Sequence, residues 1–435
     1  MKSRCGVDPT DRHADPLAAL GVPAAMLEAA SWGAPDLVDL PRKPTIPLAA
    51  VNSPDGARLI ALSAGGCAAT IRCEMEEGWF RSLIPEVTIP GATEPDRLVL
   101  LHGHCDSWDV GVENDAPGDA AMRELARVLW AHRTSRRRSA KIAWWPGHST
   151  GRHAGSTRHA DRFALGQDEQ CVAQVNCDSP GCRRASTSND VSPMAETEGH
   201  VARAVRAVTG PEIKAERPHR AGDRAFNDIG LSSFLMLSST MPEDLRRERA
   251  CCVVGGCCGN IAWRTERDLI EIADRDNLLR DMKVYPAAVV GVANAPVMPF
   301  DGRAMTATFA ETIDRRQKDP GDLIELAPAA EANRATAAAP EACHGAPDGG
   351  PIPPARANAV IQRLARIPVP LNHALAPRFG HDPALPAAPL PALAVCEELA
   401  GHDPDTPGFA QTQALRGRNR VVAALREAER LVRGA

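Results

Sequence analysis

Six ionisable side chains crowd one short stretch of the chain: His102, His104, Asp106, Asp109, Glu113 and Asp115. Imidazole and carboxylate in close sequence form the ligand set that hydrolytic enzymes use to hold zinc. The same residues would also suit a solvated acidic loop, so the elements around them decide between the two. Leu98, Val99, Leu100 and Leu101 come immediately before and predict a buried strand that ends where the polar cluster begins. Gly118 and Asp119 then open a predicted helix with Met122, Leu125, Val128 and Leu129 along one face. A second apolar strand, Lys141 to Trp145, completes a β-α-β unit. Its ionisable residues stand at the carboxyl end of the first strand, where open α/β sheets place their sites.

The run His104-Cys105-Asp106-Ser107, the loop to Asn114-Asp115 and the small residues from Ala116 to Ala121 carry a resemblance. They resemble the metal-binding core of the cocatalytic zinc aminopeptidase and glutamate-carboxypeptidase-like family, family twenty-eight of the metallopeptidases. The resemblance implies an α/β fold with a central mixed, mostly parallel sheet flanked by helices. It also implies two zinc ions and exopeptidase action on small peptides. By it, His104 is the ligand of one metal and Asp115 the carboxylate bridging both, while Asp106 orients the histidine from outside the ligand shell. Cys171 to Asn176 predicts a further buried strand leading to Asp178, which resembles the aspartate ligand of one metal. Alone, a carboxylate at that place is also a common helix cap. Gly222-Asp223-Arg224-Ala225-Phe226 resembles the family's Ser-Asp-x-x-Phe segment and would put Asp223 near the substrate end of the pocket, or equally in a structural turn.

Two departures bear on activity. The family carries a Glu-Glu pair ahead of a Gly-Ser, the first glutamate as general base and the second as metal ligand. Here Gly155-Ser156 is present without the glutamates, and His148 and Ser149 occupy the nearest equivalent place. Neutral imidazole can ligate zinc, so His148 is either a replacement ligand or an exposed turn residue. Ser149 cannot accept a proton at neutral pH. In Ala262-Trp263-Arg264-Thr265, Arg264 stands where the family has its last histidine ligand. A guanidinium has no lone pair for zinc, and about 4 Å from a dication, at an effective dielectric of about 20, its repulsion is on the order of 8 kcal/mol. The expectation is a zinc-dependent exopeptidase with impaired activity and two, one or no zinc ions. The alternatives are a catalytically inactive scaffold on the same fold and a single-zinc amidohydrolase or cyclase, as in the related glutaminyl cyclases.

The formal net charge of −5 over 435 residues gives no electrostatic footprint for nucleic acid or a membrane surface, and no apolar run reaches the length of a membrane span. The first residues, MKSRCGVDPTDRHADP, lack the apolar middle of a secretory signal, so the expected location is cytoplasmic. Residues 1–85 resemble part of a protease-associated module, with a strand over Lys43–Val51 and a helix from Ser53 to Leu62. Residues 86–300 read as the catalytic domain and 301–435 as a helical region whose family counterpart supports a homodimer. Further helices are expected over 201–208, 268–293 (kinked or interrupted at Pro286), 356–367 and 413–432. A strand is expected over Ile229–Leu237, and a connector around helical pieces over 327–354. The CCVVGGCC run at Cys251–Cys258 reads as a loop of free thiols, and His373, His381 and Asp382 as part of a surface loop.

Overall fold

The apolar run at residues 98–101 forms the middle of the central strand of the protein. The computed structural model describes residues 36–38, 51, 53–72, 74, 81–107, 109–149, 153–210, 213–218, 222–234, 239–248, 262, 266–338, 352–382, 387–400 and 408–434. After α1 (Ser53–Ser63) come β1 (Glu86–Ile89), β2 (Glu94–His104), α2 (Ala116–Ala131), β3 (Arg138–Trp145), α3 (Ala154–Gln170) and β4 (Cys171–Asn176). These strands make one sheet in the order β1-β3-β2-β4. β2 is parallel to both β3 and β4, and β1 is antiparallel to β3. The sheet is therefore mixed and mostly parallel, as expected, and β2-α2-β3 is the expected β-α-β unit.

Alternation along β2 explains why helices cover both faces. Val99 and Leu101 join a core with Met122, Leu125 and Leu129 of α2. Leu100 points the other way, to Trp145, Ala160 and Phe226. The first core is completed by α4 (Glu198–Thr209) and, after the short α5 (Glu243–Glu248), by α6 (Arg275–Asn294). Of the two expected effects of Pro286, interruption does not occur, and α6 runs through it. Val284, Tyr285, Ala288, Val289 and Val292 are all buried around it, and that packing offsets the lost backbone hydrogen bond. β5 (Asn189–Val191) and β6 (Lys214–Ala215) form a separate two-stranded ladder. The strand expected at Ile229–Leu237 is reduced, among the described residues, to a single parallel bridge between Ser233 and Gln174.

The carboxyl-terminal region is helical: α7 (Gly302–Lys318), α8 (Ala327–Ala337), α9 (Pro354–Ala365), α10 (Pro368–His373) and α11 (Gly408–Arg433). The first third of the expected connector is thus α8. These helices gather Phe309, Ile313, Leu326, Leu371, Val421 and Leu425 into a core of their own. Arg366, between α9 and α10, ties them to the sheet. Its guanidinium donates to the carbonyls of Gly230 (2.8 Å), Cys171 (2.6 Å) and Asp168 (2.8 Å) and to the Asp168 carboxylate (3.0 Å). Among the described residues no helix is long and apolar enough to cross a membrane. Most residues read as the protease-associated module, the Cys251–Cys258 run and Arg264 lie outside the described residues.

Candidate metal centre

The carboxyl ends of β2, β3 and β4 converge on three side chains. His104 closes β2, His148 lies in the turn after β3, and Asp178 follows β4. All three are buried, and one ligand atom from each lies within 4.8 Å of the others. Nitrogen and oxygen ligands of a tetrahedral zinc, each at roughly 2.0–2.1 Å, stand about 3.4 Å apart. His104 Nε2 and Asp178 Oδ1 are 4.0 Å apart, a gap that a small side-chain adjustment closes. The two imidazoles are stacked, with centroids 4.1 Å apart and planes 9° apart. His148, which the sequence left between ligand and exposed turn residue, is only 7% exposed.

His104 Nδ1 donates to the backbone carbonyl of Asp106 at 2.9 Å, which directs Nε2 toward Asp178. The nearest Asp106 carboxylate oxygen is 3.7 Å from Nδ1, beyond hydrogen-bond range. The Asp106 carboxylate does something else. It accepts from the backbone N–H of His148 at 2.8 Å and of Ser149 at 2.9 Å. The expected orienting role thus passes to the Asp106 main chain, while its side chain pins the turn that carries the second histidine. Burial opposes the charge on His104, but the Asp106 and Asp178 carboxylates outweigh it and hold the imidazole above its ordinary pKa.

Asp115 lies beside this cluster rather than within it. Its Oδ1 accepts from the Ser179 N–H at 2.7 Å, and its Oδ2 is buried without a hydrogen-bond partner. A Cβ on Gly103 would stand 3.2 Å from Asp115 Oδ2, and one on Gly118 would stand 2.2 Å from Oδ1. Gly118 is therefore required by the carboxylate, whereas at Gly103 the tighter limit is the Cys177 carbonyl oxygen, 2.7 Å from where a Cβ would stand. Burial first, then Asp178 and Asp119, push Asp115 well above the usual carboxylate range. A buried carboxylate in that state, beside three converging donors, fits a cation-binding site.

Asp119, in the first turn of α2, is the residue the sequence reading passed over as a helix opener. Burial and the neighbouring Asp106 and Asp178 carboxylates, opposed by His104, leave its pKa at about 7. The signal was a carboxylate one helical turn beyond Asp115. Other nearby groups are structural. Burial pushes His102 down to about 4, so it is neutral; its Nε2 bonds Gln174 Oε1 at 2.8 Å and its ring packs on Trp145 and Phe226. The Cys105 thiol is raised to about 11 by burial and surrounding carboxylates. His373 is buried at the end of α10 rather than in a surface loop. His381 pairs with Asp161 at 2.7 Å, and Asp382 accepts from the N–H groups of Leu375 and Ala376. Asp223 belongs to a short 3-10 helix, Gly222–Phe226. Asp268, four residues after Arg264, accepts from the Glu113 N–H at 2.6 Å and so brings its segment back to the rim of the site.

The model of Peptidase family M28 matches residues 86–227. The matched segment is about a third of the chain. It carries β1 to β4 and every residue of the metal cluster. Aminopeptidase NAALADL1 of Mus musculus is 38% identical over 98 residues, 21% of this chain and 12% of the relative. The probable glutamate carboxypeptidase VP8 of Zea mays is 24% identical over 235 residues, 52% of this chain and 32% of the relative. The matches thus span well under half the length of these curated relatives. Among solved structures, the zinc aminopeptidase BSAP of Bacillus subtilis aligns with a TM-score of 0.40 at 17% identity, over 48% of this chain and 49% of that one.

Proposed function

We propose that the M28-matched segment of this chain is a zinc-dependent exopeptidase domain acting on small peptides. The observation that carries the reading is the buried convergence of His104, His148 and Asp178 next to the partnerless Oδ2 of Asp115. His104 and His148 would hold zinc through imidazole nitrogens and Asp178 through a carboxylate oxygen. Bound there, zinc supplies Lewis-acid polarisation of a peptide carbonyl and lowers the pKa of a coordinated water. Asp106 keeps the His148 turn against His104. Asp115 adds the negative charge that balances a dication. In place of the missing glutamate, Asp119, whose charge is felt by and feels His104, Asp106 and Asp178, is the carboxyl placed to accept and return a proton.

Three ligand atoms at bonding proximity also support a second reading, a single-zinc amide hydrolase or cyclase. Elemental analysis of protein purified with added zinc separates the readings, paired with a turnover screen over dipeptides, acylated amino acids and amino-terminal glutamine. Zinc bound in wild type and lost in His148→Ala, together with dipeptide turnover, is the expected result. One zinc with turnover confined to the other substrates favours the second reading. No zinc in folded protein refutes both and leaves a scaffold.

A further inference from the structure

A cleft of about 650 Å³ opens where α9, α10 and α11 meet β2 and the end of α3. It shares no lining residue with the metal cluster. Arg97 on its wall precedes His104 by seven residues of β2, and at about 3.3 Å per residue the two lie roughly 23 Å apart. Five arginines line the cleft against three carboxylates, Asp168, Glu169 and Glu427. That local excess of positive charge occurs in a chain whose formal net charge is −5.

Two of the arginines share one carboxylate. Arg366 and Arg378 both pair with Asp168. The other three have no carboxylate partner among the described residues. Arg97 donates to the Glu169 carbonyl and to Gln362 Oε1, and Arg420 to the carbonyls of Leu375 and Ala376. Arg363 is exposed on α9. Neutral acceptors satisfy guanidinium donors without cancelling their charge, and the walls of a cleft focus the resulting field. Ile367, Pro370, Leu371 and Leu431 add an apolar ledge to the same cavity, and its volume is that of a small-molecule pocket.

We propose that this cleft binds a small organic dianion, with an apolar body on the ledge and its two negative charges met by the Arg97, Arg363 and Arg420 guanidiniums. Guanidinium forks match the planar geometry of carboxylates and the tetrahedral oxygens of phosphates or sulfonates.

The test is calorimetric titration of the full chain with meta-benzenedisulfonate, which coordinates zinc poorly, and with benzenesulfonate as the monoanion. Isophthalate and phenyl phosphate form two further arms that separate a carboxylate ligand from a phosphate one. Saturable binding of at least one dianion is expected, weakened about tenfold in Arg363→Ala and weakened further by added salt. Arg363 is exposed and, among the described residues, pairs with no carboxylate, so its replacement leaves the fold intact, and an unchanged melting temperature checks this. Arg363→Glu is the second variant and is expected to weaken binding more than Arg363→Ala. Failure of all three dianions to bind overturns the proposal, as does benzenesulfonate binding as tightly as the disulfonate, or wild-type affinity in both Arg363 variants.

Discussion

Replacing Asp106 with alanine tests how the metal centre is assembled. The perturbation removes the acceptor for two main-chain N–H groups, at 2.8 and 2.9 Å, in the turn that carries His148. Hydrogen bonds to a charged acceptor contribute about 1.5–3 kcal/mol each. The Asp106 side chain is 17% exposed, so water replaces part of the loss. A net cost of about 2 kcal/mol, expressed as displacement of His148, corresponds to about 30-fold weaker zinc binding, inside the range of roughly 10–100-fold for partners of metal ligands. Competition against a chromogenic chelator measures it. The decisive comparison is the same substitution made in His148→Ala protein. If Asp106 acts by placing His148, the second loss is much smaller than the first, because the two residues are coupled. Equal losses in both backgrounds would refute the reasoning.

Two further outcomes follow from buried charge. Glu196 is buried, with Oε1 accepting from Ser232 Oγ and Oε2 without a partner; burial raises it from 4.5 to about 7. Between those values the folded state keeps a proton that the unfolded state has lost, so stability falls as pH rises through that window and stays low above it. Glu196→Gln should match wild type below pH 4.5 and exceed it above pH 7 by on the order of 3 kcal/mol. Urea unfolding at a series of pH values reads this directly, and a constant difference across pH would rule it out. Arg366→Ala should cost at least about 3 kcal/mol, because carbonyls at the end of α3 and start of β4 lose a charged donor. Arg366→Lys should restore little, since one ammonium cannot serve a fan of separated carbonyls; wild-type melting in the lysine variant would contradict that account.

The fold of the sheet segment was legible because local pattern and tertiary burial agree there. Leu98–Leu101 and Cys171–Asn176 are apolar runs of strand length, and both became buried strands. The helix of 413–432 was legible for the same reason, although it begins earlier, at Gly408. Whether Pro286 would interrupt its helix was not legible, because its cost is local while the core in which its neighbours are buried includes residues far away in sequence. His148 was undecidable from spacing: what buries it is a pair of hydrogen bonds from its turn to Asp106, 42 residues earlier. Asp119 was legible in position but not in importance, since its pKa depends on burial, on the His104 imidazole and on two carboxylates, Asp106 and Asp178, from elsewhere in the sequence. His373 looked exposed because proline-rich flanks resemble surface turns, yet it closes a short helix packed against the tail.

The Asp106 carboxylate holds the turn after β3 by its peptide N–H groups, and every residue except proline has one. The grip is therefore indifferent to which side chains stand at 148 and 149. This chain has His148 and Ser149 there, and the turn delivers position 148 to the point above the sheet where His104 and Asp178 converge. The fold thereby separates holding a site in place from choosing its chemistry. Substitutions at these two positions can exchange ligands, change the net charge of the centre or silence it while the surrounding architecture stays intact.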